Sequence, residues 1–569
     1  MKNARQLVTI CNKAGAGNIA SAALRILRRE IENRSGAATA LSDDESSADI
    51  ILRVSSSGPA EGFVIEGERA RVEVKGNDER GLLYGVGKLL RTSLFEAPAG
   101  LRSGEHPFSP GAWRGSSAPS CRVRGMYPAY NFRNWYVSAP RRDVPRYAEE
   151  LALWGVNTLV FAPAHYQFAA VDSPRSARLT EAIDENLRLM ADLKRMGFDI
   201  GLLVSGNYGF AHGPANGAAT DVPDTSPPRR GNAGPRLCPS NPAAFSHMEQ
   251  AYGRMLDDYR DIGLDYLVSF PYDAGGCGCA RCWPWGFRGF LKINRMLHKL
   301  ASERFPACRL VYGTWCFDAR GEFEGEWSGL ARELAGDAGW VDFIMADSHE
   351  DFPAYPLQHG APGGLPLLNF PEISMWGRYP WGGYGANPLP GRLQRLWRQV
   401  SAVCQGGFPY SEGIFEDINK AVCATFYWDR NAEALATVRE YAAYEFSPVH
   451  AGRIASAVEL LERTYPRQIQ SPDDVQSAWR EISSIDRELP ERAAKSWRWR
   501  ILYLRALIDR ELLNTPSGPH SDRCDEAFEE LTEIYHAHNA GGPDAPPSRK
   551  CLARLRAAPA PAPPPGASV

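Results

Sequence analysis

Carboxylates recur at one kind of place in this sequence. Glu412 lies in Tyr410-Ser411-Glu412-Gly413, Glu372 in Phe370-Pro371-Glu372-Ile373 and Asp273 in Pro271-Tyr272-Asp273-Ala274, each just after a run of strand-forming residues. Two carboxyl groups facing one substrate can divide the work of opening a glycosidic bond. One donates a proton to the leaving oxygen, and the other attacks the anomeric carbon or activates water. Glu412 is the first candidate, because it follows its strand directly. Glu372 is the second, in an aromatic setting that would raise its pKa and suit a general acid. Asp273 ranks with them. Each has a plainer alternative: a salt bridge to an Arg for Glu412, a hydroxyl ligand for Glu372, and a turn cap before Gly275-Gly276 for Asp273. Side chains suited to stacking on a sugar face or bonding its hydroxyls follow other strands. They are His165, Asn207, Tyr272, Trp315, Asp347 and Trp376. Trp283, Trp285 and Trp381 are further stacking platforms, of which about half are expected to face a cleft. Glu416-Asp417 reads as the start of a helix, where negative charge suits the dipole.

Beside Asp273 runs Cys277-Gly278-Cys279-Ala280-Arg281-Cys282. Cys277, Cys279 and Cys282 can bind zinc as thiolates, with Cys238 or a His as a fourth ligand, and such a site would serve structure and not catalysis. Reduced thiols in a tight glycine loop are the alternative. Twelve Cys among 569 residues do not make a disulfide scaffold. The chemistry of the carboxylates itself requires no cofactor.

These residues need a frame that brings strand ends together. From 121 to 445 strands alternate with helices. The expected strands are Val123–Pro128, Thr158–Phe161, Asp199–Ser205, Tyr266–Tyr272, Arg309–Phe317, Val341–Ala346, Pro366–Phe370 and Gly407–Ser411. Between them lie amphipathic periods such as Val144, Tyr147, Leu151 and Trp154, or Phe245, Met248, Tyr252 and Met255 after a Ser240-Asn241-Pro242 start. Thr180 is the expected cap of the helix containing Ile183, Leu187 and Met190. The sum predicts an α/β protein with a (β/α)₈ TIM barrel, whose chemistry sits at the C-terminal strand ends. The rival, a doubly wound open sheet, lacks a glycine-rich phosphate loop after its first strand. Residues 1–110 predict a small α+β domain, 446–556 a helical region without strands, and 557–569 a disordered Pro/Ala-rich tail. A Pro/Gly-rich linker is expected over 97–120.

Within the first of these regions, Ala48-Asp49-Ile50-Ile51-Leu52, Gly62-Phe63-Val64-Ile65 and Asn77-Asp78-Glu79-Arg80-Gly81-Leu82-Leu83-Tyr84-Gly85-Val86 resemble the N-terminal α+β domain of β-N-acetylhexosaminidases and α-glucuronidases. That resemblance covers residues 48–91. It implies a catalytic (β/α)₈ barrel downstream and a glycosidase activity on N-acetylhexosamine- or uronic-acid-containing glycans. Hexosaminidases of this group place an adjacent Asp-Glu pair after strand four. Here Ala274 follows Asp273, so the substrate-assisted mechanism does not carry over. A non-catalytic carbohydrate-binding protein on the same scaffold, or a metal-dependent hydrolase led by the cysteine loop, are the competing functions.

A net charge of −3 without basic blocks argues against nucleic-acid binding. No apolar run is long enough for a bilayer. The first residues lack a signal-peptide core, which makes a cytoplasmic location the expectation. The expected partner is a carbohydrate substrate, with the C-terminal helices as a surface for homo-oligomer contact.

Overall fold

The computed structural model describes residues 6–68, 71–95, 108–130, 134–163, 174–223, 234–272, 274–317, 325–348, 351–373, 385–464, 471–514 and 521–536. An N-terminal mixed sheet, a closed parallel barrel and C-terminal helices follow one another along the chain.

The N-terminal sheet has the order Ala38–Leu41, Leu7–Lys13, Ile50–Val54, Arg71–Gly76, Phe63–Glu68, Gly115–Ser117. Val8, Ile10, Ile50, Leu52, Val72 and Val74 bury their alternate side chains against the helices Asn18–Ser35 and Glu79–Thr92. Phe63–Glu68 and Arg71–Gly76 pair antiparallel as a hairpin, with Glu66 opposite Glu73. Asp78 caps the second helix, its carboxylate accepting from the Gly81 N–H at 2.7 Å. Next to it, Glu79 accepts from the Ile19 and Ala20 N–H groups, both at 3.1 Å. It thereby caps the first helix, whose own N-cap is Gly17. Two strands have no period in the sequence because they are so short. One is Ala38–Leu41. The other, Gly115–Ser117, lies inside the stretch expected to be a linker and pairs with Phe63–Ile65.

The barrel strands are Val123–Pro128, Thr158–Phe161, Asp199–Val204, Tyr266–Ser269, Arg309–Gly313, Phe343–Asp347 and Leu367–Phe370, with an eighth in two pieces, Cys404–Gly407 and Tyr410–Ser411. All neighbours are parallel. Closure is made by Gly406↔Val123, Gly407↔Arg124, Tyr410↔Tyr127 and Ser411↔Pro128. Closure needs glycine: Gly406 is at φ 112°, and a Cβ there would run into the Val123 carbonyl oxygen of strand one. Strands four and five end earlier than expected. Pro271 has no N–H to continue the fourth, and Cys316, at φ 63°, turns the chain out of the fifth. Inside the barrel lie Val123, Val160, Leu203, Tyr266, Val268, Val311, Phe343, Met345, Leu368 and Phe408. The helix after strand two begins with Ser176 as cap, not Thr180, because Ser176 Oγ accepts from the Leu179 N–H at 3.2 Å. The helix Pro242–Asp258 starts as expected, with Asn241 accepting from the Ala244 N–H at 3.1 Å.

Among the described residues the helices Ala434–Glu445, Ala451–Arg463, Pro472–Glu488, Glu491–Ala494, Trp497–Asn514 and Asp522–Ile534 follow the barrel. Among the described residues no helix is long and apolar enough to cross a membrane. Glu440, on the first of these helices, clamps the N-terminal domain through Lys88 at 2.9 Å and Arg91 at 2.8 Å. Burial alone would push its carboxyl up, but Arg91 and Lys88 outweigh that and hold it at about 2. Its folded pKa is depressed, so its contribution is complete above the ordinary carboxylate range and is lost as pH falls toward 2. Glu440→Gln is therefore expected to cost about 2 kcal/mol at neutral pH. Thermal melts should show wild type and variant converging as pH falls below about 4.

Candidate active site

Strands seven and eight place two carboxylates together. Glu372 follows strand seven and is buried. The main chain there still pairs with strand eight: the Tyr410 N–H donates to the Pro371 carbonyl at 2.9 Å, and the Ile373 N–H to the Tyr410 carbonyl at 3.4 Å. Two residues past Tyr410, Glu412 is half-buried. The Tyr410 hydroxyl donates to Glu412 Oε1 at 2.5 Å. Burial pushes the Tyr410 phenol well above its ordinary value, and the charges of Glu412 and, more weakly, Glu372 push it the same way. Both acids thus lie in the field of one buried hydroxyl.

Below them is an aromatic floor drawn from five strands. Tyr127 lies 5.8 Å from Tyr410 and 5.9 Å from Phe370, ring centre to ring centre. Phe270 lies 5.6 Å from Phe370 and stacks on Trp315 at 5.3 Å. Trp315 follows strand five and is only half-buried. Asp347, at the end of strand six, is also half-buried and accepts from the Cys316 N–H at 3.4 Å.

The loop carrying Glu412 is held by a buried polar network. Ser411 Oγ donates to Glu416 at 2.5 Å and lies 2.7 Å from the Tyr136 hydroxyl. Lys420, fully buried, pairs with Glu416 at 3.0 Å and donates to Tyr136, Tyr147 and the Gly413 carbonyl. Asp417 accepts from Tyr147 at 2.5 Å, Tyr441 at 2.6 Å and Arg498 at 2.7 Å. Burial would raise the Asp417 pKa, but Arg498 and Lys420 keep it below its ordinary value. As expected, Asp417 opens a helix, Asp417–Trp428.

Three expected site residues are otherwise engaged. Asn207 is fully buried, and its amide is used by the main chain: it donates to the Leu237 and Gly276 carbonyls at 2.8 and 2.9 Å and accepts from the Gly276 N–H at 2.8 Å. It ties loops together. Tyr272 turns into the packing outside the barrel, where its buried hydroxyl donates to Glu326 at 2.5 Å. Trp285 is fully buried, its indole N–H donating to the Pro271 carbonyl at 2.7 Å, so it is no stacking platform. Asp273, His165, Trp376 and Trp381 lie outside the described residues.

Cys277, Cys279 and Cys282 come together with Cys238, and their four sulfur atoms all lie within 4.8 Å of one another. The Cys282 thiol donates toward Cys277. That bond, with main-chain N–H groups from Cys279 and Thr220, pulls the Cys277 thiol down to about 5 against its burial, and it pushes Cys282 up. Such a cluster can hold a metal ion.

The fold is one shared with glycoside hydrolases. It is similar to that of a family GH115 4-O-methyl-α-glucuronidase with specificity for decorated arabinogalactans, at 12% identity over 95% of this chain and 77% of that one, with a TM-score of 0.59. It is also similar to a GH138 enzyme targeting pectin rhamnogalacturonan II, at 10% identity over 93% of this chain and 73% of that one, TM-score 0.57. A family 89 enzyme from Clostridium perfringens, solved with GlcNAc-α-1,4-galactose, matches at 12% identity over 90% of this chain and 62% of that one, TM-score 0.59. No protein-family model matches the sequence, and no curated protein matches it.

Proposed function

We propose that the protein is a glycoside hydrolase that uses Glu412 and Glu372 as its carboxylate pair, with Asp273 as a third candidate acid from the sequence. The observation that carries this reading is the Tyr410 hydroxyl bonded to Glu412, with Glu372 following the neighbouring strand opposite Tyr410 and its charge acting on the same phenol, at the strand ends where barrel enzymes do their chemistry. A carboxylate that accepts a hydrogen bond from a neutral phenol is favoured in its charged form, which suits Glu412 to attack on the anomeric carbon or on water. Glu372, buried and paired through its main chain with Tyr410 on the neighbouring strand, takes the other role, donating to the leaving oxygen. Trp315 offers a half-exposed ring for a sugar face, and Asp347 a carboxylate for its hydroxyls. The substrate class that fits the fold is a glycan containing uronic acid or N-acetylhexosamine.

The test is a panel of nitrophenyl glycosides and uronides, N-acetyl sugars included, followed by natural glycans with reducing-sugar detection. Release of nitrophenol or sugar from at least one class, lost in the Glu412→Gln variant, is the expected result. Binding of glycans without any hydrolysis across the panel would make the protein a carbohydrate-binding module and sink the enzymatic reading.

A further inference from the structure

We propose that Cys238, Cys277, Cys279 and Cys282 hold one structural zinc ion that joins the exit loops of barrel strands three and four. Four thiolates around zinc, at about 2.3 Å from the metal in a tetrahedron, stand about 3.8 Å apart. Cys238 Sγ lies 3.7 Å from Cys279 Sγ and 3.8 Å from Cys282 Sγ. A disulfide would need sulfurs at about 2.05 Å. Three of the four residues are buried, and the fourth, Cys279, is half-buried.

The surroundings prepare the sulfurs as thiolates. Lys292 Nζ lies 2.7 Å from Ser240 Oγ, which in turn lies 3.1 Å from Cys282 Sγ. An ammonium only donates, so Ser240 accepts from Lys292 and has its own proton left to donate to the sulfur. The helix Gly289–Arg304 begins against Cys282, and a Cβ on Gly289 would stand 2.9 Å from the Cys282 Cβ. Its N-terminal dipole and Lys292 oppose the double negative charge of a four-thiolate zinc centre.

The ligands come from two loops. Cys238 lies just before the helix Pro242–Asp258, and the other three leave strand four. Already between these loops, Arg236 donates to the Gly276 carbonyl at 3.1 Å and the Gly278 N–H to the Thr220 carbonyl at 2.9 Å. Gly278 has no room for a side chain, since a Cβ would stand 2.1 Å from the Asp221 carbonyl oxygen. With four protein ligands the coordination is closed, so the metal has no position for water or substrate and cross-links the loops instead.

The full-length protein, purified under reducing conditions without chelators, is expected to carry about one zinc per chain by elemental analysis. Titration with a mercurial should release that zinc as four thiols react. Protein produced with cobalt should show the visible and thiolate-to-metal charge-transfer absorption of tetrahedral cobalt–thiolate. Cys282→Ser and Cys238→Ser should lower zinc content at least about tenfold, while Cys308→Ser, outside the cluster, keeps it. If the cysteine variants do not fold, the wild-type measurements decide. Wild-type protein that is metal-free and takes up no added zinc overturns the proposal, as does iron in place of zinc, or a disulfide among the four in non-reduced peptide maps. None of these readouts depends on glycosidase activity.

Discussion

Glu412→Gln is expected to lower kcat/KM by roughly 10³-fold or more, with Glu372→Gln close behind. The amide keeps the shape of the carboxylate, and its oxygen can still accept from the Tyr410 hydroxyl at the position now 2.5 Å away. Folding is therefore largely preserved, and the loss is chemical. The two variants should differ by leaving group. A nitrophenolate leaves with little help, so removing the general acid costs less on a nitrophenyl substrate than on a natural glycan. Removing the nucleophile or base costs about the same on both. If Glu372 is the acid, the Glu372→Gln defect shrinks on nitrophenyl substrates and the Glu412→Gln defect does not. Azide added to Glu412→Ala, which leaves room for the anion, gives a second readout: an azido-sugar of inverted anomeric configuration identifies Glu412 as a nucleophile in a retaining reaction. Among Glu412, Glu372 and Asp273, two amide variants should abolish turnover, and unchanged rates in all three would discard the assignment.

The fold was legible where periodicity runs long. Eight parallel strands with intervening amphipathic helices showed themselves through the repeated return of apolar residues, and capping signals such as Asn241-Pro242 fixed starts. What escaped had physical reasons. Gly115–Ser117 is three residues without a buried face pattern, held by pairing to a strand about fifty residues away in the chain. The side chains of Asn207 and Tyr272 follow strands, as site residues do, but position along the chain does not say which way a side chain points. Asn207 turns to main-chain groups of two loops, and Tyr272 to Glu326 behind the barrel. In the sequence Tyr410 reads only as a strand residue, although its hydroxyl is the group that Glu412 contacts. Lys420 does carry a signal in the sequence: a charged residue within the largely apolar helix Asp417–Trp428 demands buried partners. Cys238 lies 39 residues before Cys277, so the sequence leaves the fourth ligand open between Cys238 and a His, and the tertiary fold brings Cys238 to the cluster.

Lys420→Met should be the most destabilising single change, at about 3–5 kcal/mol, because it leaves Glu416 as a buried charge without its cation. Much of that cost belongs to the orphaned carboxylate and not to the ion pair itself. Lys420→Met combined with Glu416→Gln should therefore recover a substantial part of the loss, and thermal melts of the two singles and the double measure it. The pH dependence has a defined sign. Burial would lower the Lys420 pKa, yet Glu416, Tyr136 and Asp417 raise it above 10.5. Its own titration thus leaves the contribution complete at neutral pH and removes it as pH rises through that elevated value. Asp417 works the other way, its stabilisation lost as pH falls through a depressed pKa. The difference between wild type and Lys420→Met should accordingly stay flat across the neutral range and narrow in strong acid. Lys420 also donates to the Gly413 carbonyl, and its partner Glu416 receives the Ser411 hydroxyl, so this ion pair grips the chain on both sides of Glu412. Lys420 is a positioning residue in that sense. Assayed at a temperature where it remains folded, Lys420→Met should lose kcat with little change in KM, whereas a defect confined to thermal stability would separate the scaffold from the chemistry of Glu412.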